Sequence, residues 1–469
     1  MKRIIYTFAF IFLTSATFAQ SIVGDWYGAL NIPGRSPLHI VFHITKNGEN
    51  YTSTTDSPDQ GVNGIATDTT TITGNQVTIT ASKYKVKYTG TYLPDSNKIK
   101  GIFTQGLTNL PLILSTTKPL ASVAVPVVRP QDPKDFPYKR EDLTFTNPIA
   151  GNRLSGTLTM PADDKASRIV ILITGSGPQN RNEEIFGHRP FLVWSDWLTR
   201  HGIAVLRYDD RGTAQSTGVF NTATSADFAD DVEAAVTYIQ SRSDLKNLSI
   251  GLMGHSEGGM IAPIVASRNK AIKFIVLLAG PGVPITQLML KQTEDQMRLG
   301  GASDEAIQLS KGLAAKMFTT IAQDSALSTA ALKQKLDTLM YRELNNFPKA
   351  DLGGKTIPEV VQANEAVMLS PWYRYFIAFD PTDYLTKVKY PVLALDGTKD
   401  MQVNAEANLA GIKASLEKGG NKHFEAVALP GLNHLFQKAN TGSVGEYSQI
   451  EETIDPIALE KVSSWINQL

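Results

Sequence analysis

The 469-residue chain contains no cysteine. This absence excludes disulfides, a thiol nucleophile, a cysteine-ligated metal site and a lipid-modified N-terminal cysteine. The chain also lacks an excess of charge, because 45 basic residues balance 45 acidic ones. We therefore expect no nucleic-acid partner. His, Asp and Glu show no zinc-ligand spacing, and Gly175-x-Gly177 lacks the third glycine and the acidic residue of a dinucleotide site. Neither a metal nor a cofactor is expected.

Residues 1–19 have the pattern of a signal peptide. Lys2 and Arg3 form a short basic region, Ile4–Leu13 is an apolar run, and residues 17–19 offer a small-residue cleavage site. The apolar run is shorter than the ~20 residues that a membrane-spanning helix needs, so we expect no integral membrane span. Because an exported chain without disulfides is typical of bacteria, the sequence predicts a periplasmic or extracellular location.

The first third of the chain has a different pattern from the rest. Residues 20–117 contain short alternating runs, such as Leu38–Ile44, separated by Gly, Asn, Asp and Pro, which predicts a small all-β barrel or sandwich. Gly24-Asp-Trp26 resembles the short Gly-x-Trp signature of lipocalin-like barrels, so a calycin-like fold is one of the alternatives for this domain. Five prolines within residues 118–138 predict an extended linker.

Residues 139–469 alternate between strand and helix patterns. Continuous apolar runs, such as Arg168–Thr174 and Lys273–Leu278, are typical of strands buried on both faces. Ala226–Ser241 carries apolar residues at helical spacing. The alternation predicts an α/β fold whose mostly parallel sheet is covered by helices. The segment at about 283–388 has no clear strand pattern and predicts a helical cap.

A nucleophile motif lies between a strand ending at Met253 and the next helix. Residues 254–258, Gly-His-Ser-Glu-Gly, match Gly-x-Ser-x-Gly. In a nucleophile elbow the glycines flank the serine because larger residues would clash in the tight strand-to-helix turn. The context predicts Ser256 as a nucleophile, and the alternative is a plain turn with a surface serine.

A serine hydroxyl needs a base near neutral pH, and histidine has the pKa for that role. Of the seven histidines, His434 follows the last strand at the edge of the sheet where catalytic groups gather, and His188, in a loop, is its rival. The acidic partner should lie between the serine and the histidine in the chain. Asp400 lies past a turn and can reach His434, whereas Asp396 ends a strand and is expected to serve that turn.

Backbone N–H groups are expected to stabilise the oxyanion. One is that of Glu257, directly after the nucleophile. The other should come from the small-residue loop Thr174–Pro178, where Ser176 is preferred and Gly177 is second.

These segments together resemble bacterial α/β-hydrolases of the carboxylesterase and serine-aminopeptidase-like group. The matching stretches are residues 175–179, 207–212, 254–259, 396–403 and 431–436. The resemblance implies a triad of Ser256, Asp400 and His434, with oxyanion donors at Ser176 and Glu257. It departs at Thr213-Ala214, where relatives often carry a second glycine.

The leading hypothesis is a carboxylesterase for short-to-medium acyl esters, a small-molecule substrate. Cap methionines and aromatic residues suit an adaptable acyl pocket; they are Met289, Met297, Met317, Met340, Met368, Trp372, Tyr373, Tyr375, Phe376 and Phe379. The alternative is a serine aminopeptidase, whose substrate ammonium would need cap acids such as Glu294, Asp295, Asp304 and Glu305. A third hypothesis is a binding protein on an inactive hydrolase scaffold.

Overall fold

The computed structural model describes residues 22–30, 38–48, 50–57, 62–105, 108–117, 129–348, 352 and 356–469. The chain divides into two compact units, Met1–Ala124 and Val125–Leu469. The predicted signal peptide, residues 1–19, lies outside the described residues.

The first unit is a closed antiparallel barrel. Its strands are β1 (Gly24–Leu30), β2 (Leu38–Asn47), β3 (Asn50–Ser57), β4 (Val62–Ala66), β5 (Thr69–Thr73), β6 (Gln76–Ala81), β7 (Val86–Leu93), β8 (Lys98–Gln105) and β9 (Thr108–Ser115). Eight of them close into a ring, since β1 pairs with both β2 and β9 while β3 pairs with both β2 and β5; β4 adds to β3. The prediction of a small all-β domain is confirmed, and the domain is a barrel.

The barrel is closed around aromatic and aliphatic side chains. Trp26 is fully buried, packs edge-on against Tyr92 and donates its indole N–H to the Ile22 carbonyl at 2.8 Å. Phe42 and Tyr88 stack beside it in the same core. The strand alternation in the sequence therefore reports the inner and outer faces of this barrel.

The second unit contains an eight-stranded mixed sheet. Its strands are β10 (Lys139–Thr146), β11 (Arg153–Met160), β12 (Arg168–Ile173), β13 (Ala204–Tyr208), β14 (Ser249–His255), β15 (Ile272–Leu278), β16 (Val392–Gly397) and β17 (Phe424–Leu429). Their order is β10-β11-β13-β12-β14-β15-β16-β17. Strand β11 pairs antiparallel with both of its neighbours, β10 and β13. The remaining pairings, from β13 through β12 and β14 to β17, are parallel. The predicted α/β-hydrolase fold is confirmed.

Helices cover both faces of the sheet, which divides the core into two layers. The helices are α1 (Pro190–Arg200), α2 (Ser225–Ser241), α3 (Glu257–Arg268), α4 (Ile285–Leu299), α5 (Asp304–Gln323), α6 (Thr329–Leu344), α7 (Ile357–Met368), α8 (Pro371–Ile377), α9 (Thr382–Leu385), α10 (Ala405–Lys418) and α11 (Pro456–Gln468). Helices α4 to α9 follow one another between β15 and β16 and form the cap.

Part of the predicted linker is anchored to the second unit. The Arg129 guanidinium donates to the carbonyls of Phe186, Ser448 and Ile450 at 3.0–3.1 Å. Asp132 forms an ion pair with Arg189 at 2.5 Å. The structure thus differs from an extended spacer over residues 129–138, because the prolines there coexist with specific hydrogen bonds; residues 118–128 lie outside the described residues.

Candidate active site

The nucleophile motif forms a strained turn between β14 and α3. Ser256 joins the two elements with φ +52° and ψ −115°, a conformation that a non-glycine residue rarely adopts. A Cβ on Gly254 would lie 2.0 Å from the Gly258 carbonyl oxygen, and one on Gly258 would lie 2.1 Å from that of Ile173. Because backbone atoms occupy both places, only glycine fits on either side of Ser256.

His434 and Asp400 form a buried pair on the loops that follow β17 and β16. His434 Nδ1 donates to Asp400 Oδ2 at 2.6 Å, and both side chains are at most 4% exposed. The other oxygen, Asp400 Oδ1, accepts the backbone N–H groups of Gln402 and Val403 at 2.7 and 2.8 Å. Burial alone would raise the pKa of Asp400, but His434 and the backbone donors lower it below its ordinary value. Asp400 contacts His434 through Nδ1, so the other ring nitrogen, Nε2, is not used in this contact.

Asp396 is buried close to Asp400 but plays a different role. Its Oδ1 accepts the N–H of Gly397 at 2.8 Å, and its Oδ2 has no hydrogen-bond partner among the described residues. Burial raises the pKa of Asp396 well above its ordinary value, and the negative charge of Asp400 adds to this. The pKa values of these two neighbouring aspartates are therefore shifted in opposite directions.

The loop after β12 lies beside the nucleophile, because Ile173 pairs with Gly254 in the sheet. A Cβ on Gly175 would lie 3.3 Å from that of Ser256. Ser176 follows in an exposed position, and Gly177 adopts φ +93°. Since Glu257 begins α3, its backbone N–H has no acceptor within the helix. Both predicted oxyanion positions thus belong to segments that adjoin Ser256.

His188, the alternative candidate for the base, is buried and hydrogen-bonded to the chain around it. His188 is fully buried, and its Nε2–H donates to the Tyr447 carbonyl at 2.9 Å while Nδ1 is 2.9 Å from Thr453 Oγ1. Burial, together with the charge of Arg129, lowers the pKa of His188. Because Thr453 and Tyr447 already contact its two ring nitrogens, His188 has no nitrogen available to act as the base for Ser256.

The sequence analysis missed a second buried His–carboxylate pair at the nucleophile. His255 Nδ1 lies 3.0 Å from Glu183 Oε1, and His255 Nε2–H donates to the His434 carbonyl at 3.0 Å. Glu183 lies 72 residues earlier in the chain, in the loop between β12 and α1. No local sequence pattern distinguishes Glu183 from the other polar residues of this loop, so the sequence alone could not identify it.

The cap contacts the residue after the nucleophile. Glu257 Oε1 accepts the indole N–H of Trp372 at 2.8 Å and the hydroxyl of Ser225 at 2.6 Å. Burial raises the pKa of Glu257, although these two donors partly offset the effect. Trp372 in turn stacks on Phe376 with ring centroids 5.1 Å apart. Helix α8 of the cap is thereby tied to the first turn of α3.

Several cap residues lie in surroundings that do not match the roles expected for them. Three of the methionines assigned to an acyl pocket, Met317, Met340 and Met368, are buried in the hydrophobic core. Of the acids considered for an ammonium site, Glu294 pairs with Lys311, Asp295 with Lys291, and Asp304 with Arg298. Lys311 lowers the pKa of Glu294. These acids already have cationic partners within the cap.

The loop of residues 209–212 stabilises the region behind the site through partners elsewhere in the chain. Asp209 pairs with Arg181 at 2.7 Å, and Arg211 pairs with Asp231 at 2.6 Å. Asp210 accepts from Thr174 Oγ1 at 2.7 Å. Among the described residues, no group of three or more His, Asp and Glu side chains could hold a metal ion, and no helix is both long and apolar enough to cross a bilayer.

The sheet order and the strand-to-helix turn define the α/β-hydrolase class, and the chain is a serine hydrolase of that class. The family profile of X-Pro dipeptidyl-peptidases (S15 family) matches residues 122–417. The chain belongs to this family, which confirms the resemblance to bacterial α/β-hydrolases.

Curated relatives carry esterase names. The chain is 26% identical to Esterase EstD of Thermotoga maritima over 338 residues, which are 71% of this chain and 68% of that protein. It is 25% identical to the bifunctional esterase/perhydrolase DCH of Acinetobacter calcoaceticus over 281 residues, 55% of this chain and 87% of the relative. Among solved structures, the Pyrococcus furiosus esterase PF2001 matches with a TM-score of 0.42 and 17% identity, over 73% of this chain and 94% of that one.

Proposed function

We propose that the chain is an exported carboxylesterase with Ser256 as nucleophile, His434 as base and Asp400 as the acid that orients His434. The buried 2.6 Å contact between His434 Nδ1 and Asp400 Oδ2 carries this proposal. Such a contact fixes the proton on Nδ1 and leaves Nε2 as the basic atom. The φ of +52° at Ser256 supports its role, since strain of this kind is typical of a nucleophile elbow.

The reaction follows from these roles. His434 Nε2 takes the hydroxyl proton as Ser256 Oγ attacks the ester carbonyl. The backbone N–H groups of Glu257 and Ser176 hold the oxyanion. The alcohol leaves with the proton from His434, and water then repeats the two steps on the acyl-enzyme to release the acid.

Two observations favour an ester over a peptide substrate. EstD and DCH, both named as esterases, are similar to this chain. The cap acids Glu294, Asp295 and Asp304, which could have bound a substrate ammonium, are paired with lysine or arginine. We propose short-to-medium acyl esters as substrates, since Trp372 and Phe376 of the cap form an apolar stack next to Glu257.

A peptidase remains the second candidate because of the family itself, which is described as X-Pro dipeptidyl-peptidase. Rates on p-nitrophenyl acyl esters of increasing chain length should be compared with rates on aminoacyl and X-Pro p-nitroanilides. Higher kcat/KM on the esters supports the proposal. Higher kcat/KM on a p-nitroanilide would make the peptidase the correct assignment.

The nucleophile is tested by fluorophosphonate labelling of the mature chain and of Ser256→Ala, with the labelled peptide identified by mass spectrometry. We expect one label on Ser256 that is absent from the variant. A label on another serine, or none on the wild type, would contradict the proposal and favour the binding-protein hypothesis.

Export is proposed from the basic, apolar and small-residue segments of residues 1–19. When the full chain is expressed in a Gram-negative bacterium, we expect it in the periplasmic or extracellular fraction, with a new N-terminus near Gln20. Recovery of the uncleaved chain from the cytoplasm would contradict export.

A further inference from the structure

Glu183 and His255 form a buried pair that the reaction above does not use. The two residues are 3% and 6% exposed, and Glu183 Oε1 accepts from His255 Nδ1 at 3.0 Å. No other described ion pair of a histidine, apart from that of His434, is buried to this degree. A pair of this kind costs desolvation free energy and is weak evidence for stability by itself.

Both ring nitrogens of His255 face acceptors. Nδ1 faces the Glu183 carboxylate, and Nε2 faces the backbone carbonyl of His434 at 3.0 Å. An imidazole can donate from both nitrogens only when it is protonated. Burial alone lowers the pKa of His255, but Glu183, the His434 carbonyl and the nearby Asp400 raise it, and the net pKa lies above the ordinary value. The two facing acceptors and the raised pKa together favour the doubly protonated ring of His255.

The pair touches each segment of the proposed catalytic site. His255 directly precedes Ser256, and its Nε2–H holds the carbonyl of His434. Glu183 Oε1 also accepts the N–H of Gly175 at 2.7 Å, and Gly175 adjoins Ser256. The nucleophile turn, the base loop and the predicted oxyanion loop thus share one hydrogen-bonded unit.

Two features of Glu183, its backbone conformation and one of its carboxylate oxygens, are energetically unfavourable. It adopts φ +50°, which is unfavourable for a residue with a side chain, and its Oε2 is buried with no partner among the described residues. Backbone strain together with an unsatisfied buried oxygen is typical of functional sites. An apolar side chain here would avoid the unsatisfied oxygen, but it would leave the Gly175 N–H without its acceptor.

We propose that Glu183 and His255 are positioning residues, which hold the His434 backbone and the Gly175 loop in register with Ser256. The inference rests on the proposed function, because it assigns the pair to the geometry of the same site. Neither residue touches the reacting atoms. Their effect is exerted through the position of His434 and of the loop that contains Ser176.

The test uses Glu183→Gln and His255→Gln in the full mature chain, with p-nitrophenyl acetate as the substrate. The glutamine in Glu183→Gln keeps the shape and an acceptor oxygen but removes the charge, so a neutral His255 can donate from one ring nitrogen only. We expect kcat to fall at least tenfold in each variant, with KM changed less than threefold. Glu184→Gln is the matched control, since Glu184 is the next residue of the loop and is exposed; its kcat should equal that of the wild type.

A double variant separates positioning from independent effects. If the two residues act as one unit, Glu183→Gln/His255→Gln should lose no more kcat than the more damaged single variant. Additive losses would overturn the proposal that they form a unit. Thermal unfolding of each variant shows whether a loss of kcat reflects a loss of folded protein.

NMR spectroscopy measures the protonation of His255 directly. In the wild type, both ring N–H protons of His255 should be visible by ¹⁵N-edited NMR near neutral pH, and Glu183→Gln should retain one. One ring N–H proton in the wild type, or a kcat of both variants within twofold of Glu184→Gln, would overturn the proposal. If the wild type itself takes no fluorophosphonate at Ser256, the proposed function fails instead, so the two failures are distinguishable.

Discussion

Two buried aspartates, Asp396 and Asp400, lie close together near His434, and their surroundings shift their pKa values in opposite directions. Asp400 accepts from His434 and from two backbone N–H groups, which keeps its pKa low. Asp396 has one backbone donor and is buried beside the charge of Asp400, which raises its pKa. Two like charges close together are unfavourable, so the pKa is raised for the acid that has fewer donors.

This difference predicts opposite outcomes for the same substitution. Asp400→Asn should lower kcat by about 10³- to 10⁴-fold, because an amide can no longer stabilise the tautomer and the imidazolium of His434. A raised pKa favours the uncharged form of Asp396. Asp396→Asn, which has the same shape and no charge, should therefore retain kcat within a fewfold. Steady-state kinetics of the two variants on p-nitrophenyl acetate provide the measurement. A larger loss for Asp396→Asn would identify Asp396 as the partner of His434.

At the scale of elements, three neighbouring strands of the barrel are joined by one histidine. His43 on β2 contacts Asp25 of β1 at 2.7 Å and Asp56 of β3 at 2.9 Å. Burial lowers the pKa of His43, but Asp56 and Asp25 raise it above its ordinary 6.5. His43, through its hydrogen bond and charge, lowers the pKa of Asp25. Burial alone would raise the pKa of Asp56, but the Gly64 N–H and His43 together lower it.

The stability of the barrel should therefore depend on pH. A raised pKa of His43 stabilises the folded barrel below about 6.5, and this contribution is lost as the pH rises through the folded pKa. The lowered pKa values of Asp25 and Asp56 stabilise it above about 3.8 and are lost as the pH falls. The contribution should be largest between these two values.

Pulse proteolysis in urea, with barrel peptides quantified by mass spectrometry, measures this effect in the full chain. The difference in urea midpoint between the wild type and His43→Gln should be greatest near pH ~5.5, within the window set by the two ordinary pKa values. A difference that is constant with pH would show that His43 acts through packing alone.

At the scale of the whole molecule, the two units have separate hydrophobic cores. The barrel core contains residues between 22 and 114, whereas both layers of the second core contain residues between 143 and 466. The units should therefore respond to core substitutions separately.

Trp26→Ala should destabilise the barrel by about 3–5 kcal/mol, because it removes a fully buried aromatic side chain and leaves a cavity. Labelling of Ser256 by a fluorophosphonate should keep its wild-type rate. Ile113→Ala, at a 51% exposed residue of the same barrel, is the control and should change the free energy of unfolding by about 0.5 kcal/mol or less. A parallel loss of Ser256 labelling in Trp26→Ala would show that the two units are coupled.

Local patterns were sufficient for much of the fold. The periods of two and of 3.6 residues distinguished the all-β part from the α/β part, because each period reflects the geometry of the backbone itself. The strands β12 to β16 were visible as apolar runs since both of their faces are buried. The hairpin of β10 and β11 was not predicted, as the exposed first half of β10 carries polar residues.

The sequence by itself determined the candidate residues Ser256, Asp400 and His434, because the glycine spacing and the chain order of these residues reflect local backbone requirements and strand ends. Only the tertiary structure decided which other side chains meet them. The contact of Glu183 with His255 and that of Trp372 with Glu257 join residues 72 and 115 positions apart. The sheet brings distant loops to one edge, where burial and neighbouring groups together shift the pKa values of Asp396, Asp400 and His255.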